Sequence, residues 1–388
     1  MTTLKGMTWN HVRGFAPLEA TAAEFRERHP GIDIRWDRRS LKDFGDYPVH
    51  LLAREYDIIM IDHPHVGICS EQHVLVPLDR HIPEAYLRDQ EANSVGPSHQ
   101  SYHWAGHQWA LAADAAAQVA AYRADLLHER DVPRSWNEVS ELAQSLPPGR
   151  KVGWPLCPTD AMCSFLTLCA GIGGPSFFDE AEGVRPHVGE AAVRQLLKLL
   201  PLLHEASLES NPIQMYDRMA SQDDIVYVPL AFGYSNYARA GFADWLLRFA
   251  DIPGVDGEPR GSLLGGVGIA VSAFSAHISL AVEFAMFAAS GEVQRTLYAG
   301  CGGQPGHASA WRDDDVNRKC NGFFADTMRT LELSYMRPRN RAFPAFQEQG
   351  GILLHEALRA SLGGETIRPD DVIDRMNASY RSIAGAFS

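Results

Sequence analysis

The densest grouping of chemically capable side chains is in residues 56–67, YDIIMIDHPHVG, where four apolar residues run straight into Asp62, His63, Pro64 and His65. An acid beside two imidazoles suits three chemistries: metal ligation, acid/base catalysis, or a hydrogen-bonding rim around a ligand. A zinc site needs three or four ligands, and the chain offers no H-E-x-x-H or C-x-x-C to complete one. Motifs of the commoner enzymes are also missing: there is no G-x-S-x-G elbow, no P-loop and no G-x-G-x-x-G after the first strand. The run Gly265-Gly266-Val267-Gly268 has the wrong spacing for a dinucleotide fingerprint. A metal-dependent hydrolase built on Asp62, His63 and His65 stays as the enzymatic alternative.

The elements that position this cluster read as α/β. LKGMTW is a strand, and a helix beginning near Pro17 carries Leu18, Ala22 and Phe25 at helical spacing. IDIRWD alternates Ile32, Ile34 and Trp36 as a second strand. A polar helix over residues 40–55 leads to Ile58-Ile59-Met60-Ile61, continuously apolar as in a strand covered on both faces. This β-α-β-α-β opening argues for right-handed crossovers in one sheet. Further on, HWAGHQWA reads as two short strands around Gly106, and Ser135-Trp136-Asn137-Glu138 has capping-box spacing. Residues 161–170 and 189–206 are helical, the second broken at Pro201. DDIVYVPLAFGY and LLGGVGIAVS are strands, and HISLAVEFAMFAAS is a helix closed by Gly291. Two helices follow residue 343.

At 388 residues, two domains are expected. A formal charge of −13 opposes nucleic-acid binding, which needs basic patches to displace phosphate counterions. No apolar run approaches the roughly 20 residues that span a bilayer. The first residues, MTTLKGMTWNHVRG, lack a signal-peptide core, so the expectation is an intracellular protein or a trimmed chain. Cys157, Cys163 and Cys169 recur on different helix faces and read as small buried hydrophobes, and Cys301 and Cys320 pair only if the fold joins them.

Four stretches, in order, resemble the extracellular solute-binding proteins of ABC importers, the family of maltose-type sugar receptors. YDIIMIDHPHVGICSEQHVLVPLD is similar to the family's strand, rim and G-x-L-x-P-L-D phrase, and HWAGHQWALAAD to its G-K-x-Y-G-L-P hinge entry. AAYRADLLHERDVPRSWNEVSELAQSL resembles its Y-N-K-D-L-F to P-x-T-W-D-E-L stretch, and LLGGVGIAVSAFSAHISLAVEFAMFAASGEVQ its G-G to A-A-w-x-F stretch. The resemblance implies a two-lobed clamshell of periplasmic-binding-protein type, each lobe a mostly parallel sheet flanked by helices. Residues 1–112 and 260–307 would form the first lobe, residues 113–259 and 308–388 the second. A carbohydrate, polyol or sugar acid would be captured in the cleft by hinge closure and delivered to a membrane permease. A periplasmic or cell-surface monomer without cofactor or metal is implied, with a cytoplasmic receptor-like sensor as the alternative.

Under that resemblance, Trp9, Asn10, His11 and Arg13 after the first strand supply an aromatic face and polar groups for a sugar, against a buried Trp and a solvated loop. Asp62 accepts ligand hydroxyls with His63 beside it. Trp104 is a second platform, among His103, His107 and Trp109, with Asp114 following. Tyr216 and the loop Phe232-Gly233-Tyr234 with Asn236 and Tyr237 stand where the family carries an aromatic loop; core packing is the rival. Gly265 and Gly266 expose amides to ligand or permit close strand packing. Arg337, with Arg339 and Arg341, forms a basic spot suited to a carboxylate, or a solvated loop.

Overall fold

The computed structural model describes residues 1–40 and 49–387. Its strands are β1 (Thr2–Trp9), β2 (Ile32–Arg39), β3 (Ile58–Ile61), β4 (His103–Trp104), β5 (His107–Gln108), β6 (Leu111–Tyr122), β7 (Lys151–Val152), β8 (Phe178–Asp179), β9 (Gly183–Val184), β10 (Ile225–Phe232), β11 (Arg248–Ala250) and β12 (Leu264–Val271). The chain divides into two compact units. Unit 1 holds Met1–Ala116, Gly265–Cys320 and Arg337–Arg339; unit 2 holds Ala117–Leu264, Asn321–Met336 and Asn340–Ser388. Strand β6 therefore gives its first half to unit 1 and its second to unit 2.

In unit 1 the sheet order is β2-β1-β3-β12-β6. β1 pairs in parallel with β2 and β3, and β12 runs antiparallel to β3. Apolar residues of β3 alternate between two cores: Ile58 and Met60 join Leu18, Phe25 and Phe284, while Ile59 and Ile61 join Leu52, Val66 and Trp109. Both faces are thus covered, which is why the strand reads as an unbroken apolar run. Full burial of each such side chain contributes about 1.5–3 kcal/mol.

The first helix spans Val12–Arg28, five residues earlier than a start at Pro17. His11 is its N-cap, with Nδ1 accepting the Arg13 N–H at 3.1 Å. Pro17 sits inside the helix, where a proline removes one backbone donor and crowds the preceding turn. Residues 41–48 of the helix expected over residues 40–55 lie outside the described residues; the described part holds a helix over Val49–Glu55. Helix Ile278–Ala289 closes on Ser290, and Gly291 instead opens the next turn, Gly291–Val293. A Cβ on Gly291 would lie 2.7 Å from the His307 ring, so packing rather than a left-handed cap explains this glycine.

In unit 2 the second half of β6 runs antiparallel to β10 and β11, and β10 is parallel to β7. Helices Pro158–Gly173, Pro186–Leu199, Phe343–Leu362 and Pro369–Gly385 pack in its core. Gly351 lets two of them approach closely, since a Cβ there would lie 2.4 Å from the Pro158 carbonyl oxygen. The Ser135/Glu138 capping box forms, and the second helix breaks into a tighter turn at Leu200–Leu202, around Pro201. All six cysteines are free thiols, Cys301 and Cys320 included.

Candidate functional site

Unit 1 carries two ion pairs at strand ends. Just after β3, Asp62 caps a turn by accepting the His63 N–H at 2.8 Å. One terminal nitrogen of Arg337 lies 2.7 Å from both Asp62 oxygens. Arg337 is 4% exposed as a side chain, whereas Asp62 keeps 27%. Burial alone would raise the Asp62 pKa, but the Arg337 charge and the His63 and Arg337 hydrogen bonds hold it well below the usual carboxylate range.

The second pair joins Arg13, in the first turn after β1, to Asp114 in β6. Arg13 Nε donates to Asp114 Oδ2 at 2.9 Å and its terminal nitrogen to Oδ1. Both side chains are essentially sealed. Here burial prevails and the Asp114 pKa is raised despite Arg13. Gly266 explains part of the seal: its φ is +87°, and a Cβ would lie 2.3 Å from the Asp114 carbonyl oxygen. Gly266 thus serves close strand packing, and Gly265 is half-buried beside it.

Tyr102 ties the two pairs together. Its hydroxyl donates to the Ile61 carbonyl at 3.2 Å, and its pKa is raised by burial and by the charges of both Asp62 and Asp114. Its ring packs against Gly268, where a Cβ would be 2.8 Å away. Sequence reasoning missed Tyr102, and nothing in its neighbourhood SHQSYHW marks it out. His63 is fully buried, edge-on to the Tyr102 ring, with Nδ1 3.2 Å from Asp62 Oδ1. Burial, then the Arg337 charge, lower its pKa to about 4, so it is neutral at pH 7. His65 is half-buried at the end of the turn.

The other expected residues fall as follows. Trp9 is 3% exposed and belongs to the core of unit 1, packed on Gly14. Asn10 is exposed, its N–H bound to the Arg39 carbonyl. His11 is spent on the helix cap, and burial followed by Arg13 lowers its pKa to about 4. Trp104 lies half-buried under the Arg339 guanidinium at 5.1 Å. His103 is exposed at the turn, and His107 bonds Asp79 at 2.9 Å. Trp109 is core.

In unit 2, Tyr216 is fully buried and donates to the Ala231 carbonyl at 3.3 Å. Tyr234, 4% exposed, meets Tyr216 edge-on, and Tyr237 bonds Asp217 at 2.6 Å. Asn236 is buried beside them, and Gly233 packs on Phe323. The aromatic loop is therefore closed to solvent in this structure.

The basic spot expected from Arg337, Arg339 and Arg341 does not form as one patch. Arg337 pairs with Asp62, and Arg339 donates to the carbonyls of Gln100 at 3.0 Å and His103 at 2.8 Å. Arg341 belongs to unit 2, over the Phe387 ring. Guanidinia repel one another and each takes its own acceptor, so adjacency in sequence does not produce a shared surface. The Arg339 carbonyl lies against Gly67, which has no room for a Cβ.

Among the described residues no three His, Cys, Asp or Glu side chains are placed to hold a metal ion. No helix among them is long and apolar enough to cross a membrane. An open groove of about 360 Å³ in unit 1, lined by Glu19, Arg26, Asp33 and Trp36 among others, includes none of the strand-end residues.

Open α/β sheets place polar groups at their strand ends in binding proteins and enzymes alike, and the comparisons identify the family. The family model described as "Bacterial extracellular solute-binding protein" matches residues 20–323, and the chain belongs to that family. Among solved structures it is similar to maltose-bound MalE3 of T. maritima, with 16% identity, 98% of this chain and 100% of that one covered, and a TM-score of 0.81. It is likewise similar to the GacH receptor of Streptomyces glaucescens (19% identity, 99% of each chain, TM-score 0.79). A third is an ABC transporter solute binding protein from Agrobacterium radiobacter in complex with ribitol (18% identity, 98% of each chain, TM-score 0.80). These likenesses establish the fold of maltose-type solute-binding proteins for this chain.

Proposed function

We propose that this protein is the solute receptor of an ABC importer, working outside the cytoplasmic membrane and delivering a carbohydrate or related polyol to permease subunits. The observation that carries the reading is Asp62: an ionised, partly exposed carboxylate at a strand's carboxyl end, fixed by Arg337 and by the His63 amide. Ligands of open α/β sheets bind outside the carboxyl ends of strands. An ionised carboxylate is acceptor-only, and a hydroxyl-rich solute supplies the donors. The family match and the maltose and ribitol complexes among similar structures support the same class. The proposal includes hinge closure, which a solute drives only through its differential affinity for the closed state.

The test is a thermal-shift screen of the purified chain over sugars and polyols. A ligand at 100 times its Kd stabilises the folded state by about 2.7 kcal/mol, a readily measured rise in melting temperature. If no member of the panel moves the midpoint, the carbohydrate reading fails. Stoichiometric zinc, lost on His63→Ala, would instead favour the hydrolase alternative.

A further inference from the structure

Strand β2 is the outer strand of the unit 1 sheet. Among the described residues β1 is its one strand neighbour, and β6, which runs on into unit 2, stands at the other end of the order β2-β1-β3-β12-β6. The Thr2 amide donates to the Gly31 carbonyl at 2.9 Å and the Asn10 amide to the Arg39 carbonyl at 2.6 Å. The odd-numbered residues of β2 therefore turn their backbone groups toward β1. By the alternation of a strand, the N–H and C=O groups of Ile34, Trp36 and Arg38 point the other way, off the edge of the sheet.

Such an edge is a template for another strand, and charged side chains usually blunt it. Here the charges alternate in sign along one face: Asp33, Arg35, Asp37, Arg39. Against an antiparallel copy of itself, with Trp36 opposite Trp36, Asp33 faces Arg39 and Arg35 faces Asp37. Every charge on that face then meets its opposite. Sliding the copy by two residues sets Asp33 against Asp37 and Arg35 against itself, or Arg35 against Arg39 and Asp37 against itself. The matched register makes Ile34, Trp36 and Arg38 the hydrogen-bonded positions. It places the charged residues at the non-hydrogen-bonded ones, where side chains lie closer. Arg35 and Asp37, which form the inner pairs, are both exposed. Arg35 reaches Asp33 through Nε at 2.9 Å, and Asp37 accepts the Tyr56 hydroxyl through one oxygen at 3.0 Å. With three arginines against two aspartates, β2 is also a stretch where a chain of formal charge −13 is not acidic.

We infer that β2 is a self-association surface, at which two copies of this chain pair edge to edge about a two-fold axis through Trp36 and continue one sheet across the contact. The family resemblance implies a monomer; the edge of β2 points to a dimer. Asp62 follows β3, two strands away in the sheet, so self-association and solute capture use different parts of unit 1. The inference stands independently of the receptor reading.

Sedimentation velocity of the full chain over roughly 1–200 μM tests it, with an expected dimer Kd on the order of 10 μM. Arg35→Asp sets Asp against Asp and Asp37→Arg sets Arg against Arg, each at two places in the dimer. Each weakens the dimer about tenfold or more. The double variant exchanges the charges and restores Kd to within about threefold of wild type. A general charge effect would act differently, since one single variant makes the chain more acidic and the other less. A wild type that stays monomeric to about 200 μM overturns the inference. A dimer indifferent to both single variants, or one that the double variant does not restore, overturns it equally. Should a variant fail to fold, hydrogen exchange of the wild type decides. The amides of Ile34, Trp36 and Arg38 gain protection as concentration rises, and unchanged protection in a sample that dimerises places the contact elsewhere and refutes the assignment.

Discussion

The strand ends of unit 1 and the aromatic cluster of unit 2 bury polar chemistry in opposite ways. The strand ends of unit 1 bury charges together with their counter-charges: Arg13 with Asp114, Arg337 with Asp62. The aromatic cluster of unit 2 buries neutral hydroxyls on aromatic rings, Tyr216, Tyr234 and Tyr237, which bring their apolar bodies with them. The difference teaches where specificity is costly. A charge taken from water requires a fixed partner, so the pairs of unit 1 are rigid and intolerant of deletion, whereas an aromatic cluster tolerates loss of a hydroxyl.

The largest effect is expected from Arg13→Ala. It strands the Asp114 carboxylate in a sealed site and costs about 3–5 kcal/mol, read as a fall in the urea midpoint. A change under about 1 kcal/mol would mean that this pair is solvated and the contrast with unit 2 is false. Arg337→Ala costs less, roughly 2 kcal/mol, because Asp62 retains 27% exposure and water replaces part of the lost partner. It should also abolish solute binding while the protein remains folded at 25 °C.

pH acts with opposite sign on two buried groups, His63 of unit 1 and Asp160 of unit 2. His63 titrates near 6.5 when unfolded and near 4 when folded, so the stability it contributes is present above pH 6.5 and lost as pH falls toward 4. His11 acts in the same direction. In unit 2, Asp160 is buried at the start of helix Pro158–Gly173, where burial raises its pKa from 3.8 to about 7, with the Cys157 thiol donating to it. Its contribution is present below pH 3.8 and lost as pH rises through 7. Asp160→Asn should therefore remove a loss of stability between pH 4 and 7, and His63→Gln a loss in the reverse direction, both read from melting temperature against pH. Profiles of the same slope in both variants would break the comparison. The smallest effect is expected in unit 2: Tyr237→Phe, losing the 2.6 Å bond to Asp217, costs about 1.5 kcal/mol.

Much of the scaffold was legible because it obeys local rules. Ile58–Ile61 is apolar on both faces because both are covered, and the Ser135/Glu138 box is a contact three residues long. The helix start at Val12 was misplaced because a histidine cap is a weak signal beside a proline. The candidate site was legible only in part. Asp62 and His63 stand at a strand end that periodicity reveals, but their partner Arg337 is 275 residues away. Trp9 and Tyr216 have the residue types of a ligand platform, yet both are buried in this structure, since an aromatic serves a core and a binding face equally well.

By itself, the sequence determined the main strands, the Ser135/Glu138 cap and the position of an acid at the carboxyl end of β3, because these depend on periodicity and on contacts within a few residues. Only the tertiary structure decided which charges are spent. Whether Arg337 is free to hold an anion or is bound to Asp62 depends on where a distant stretch of chain docks, and a single sequence carries no record of that encounter. Coulomb energy follows distance in space, and distance along the chain is indifferent to it.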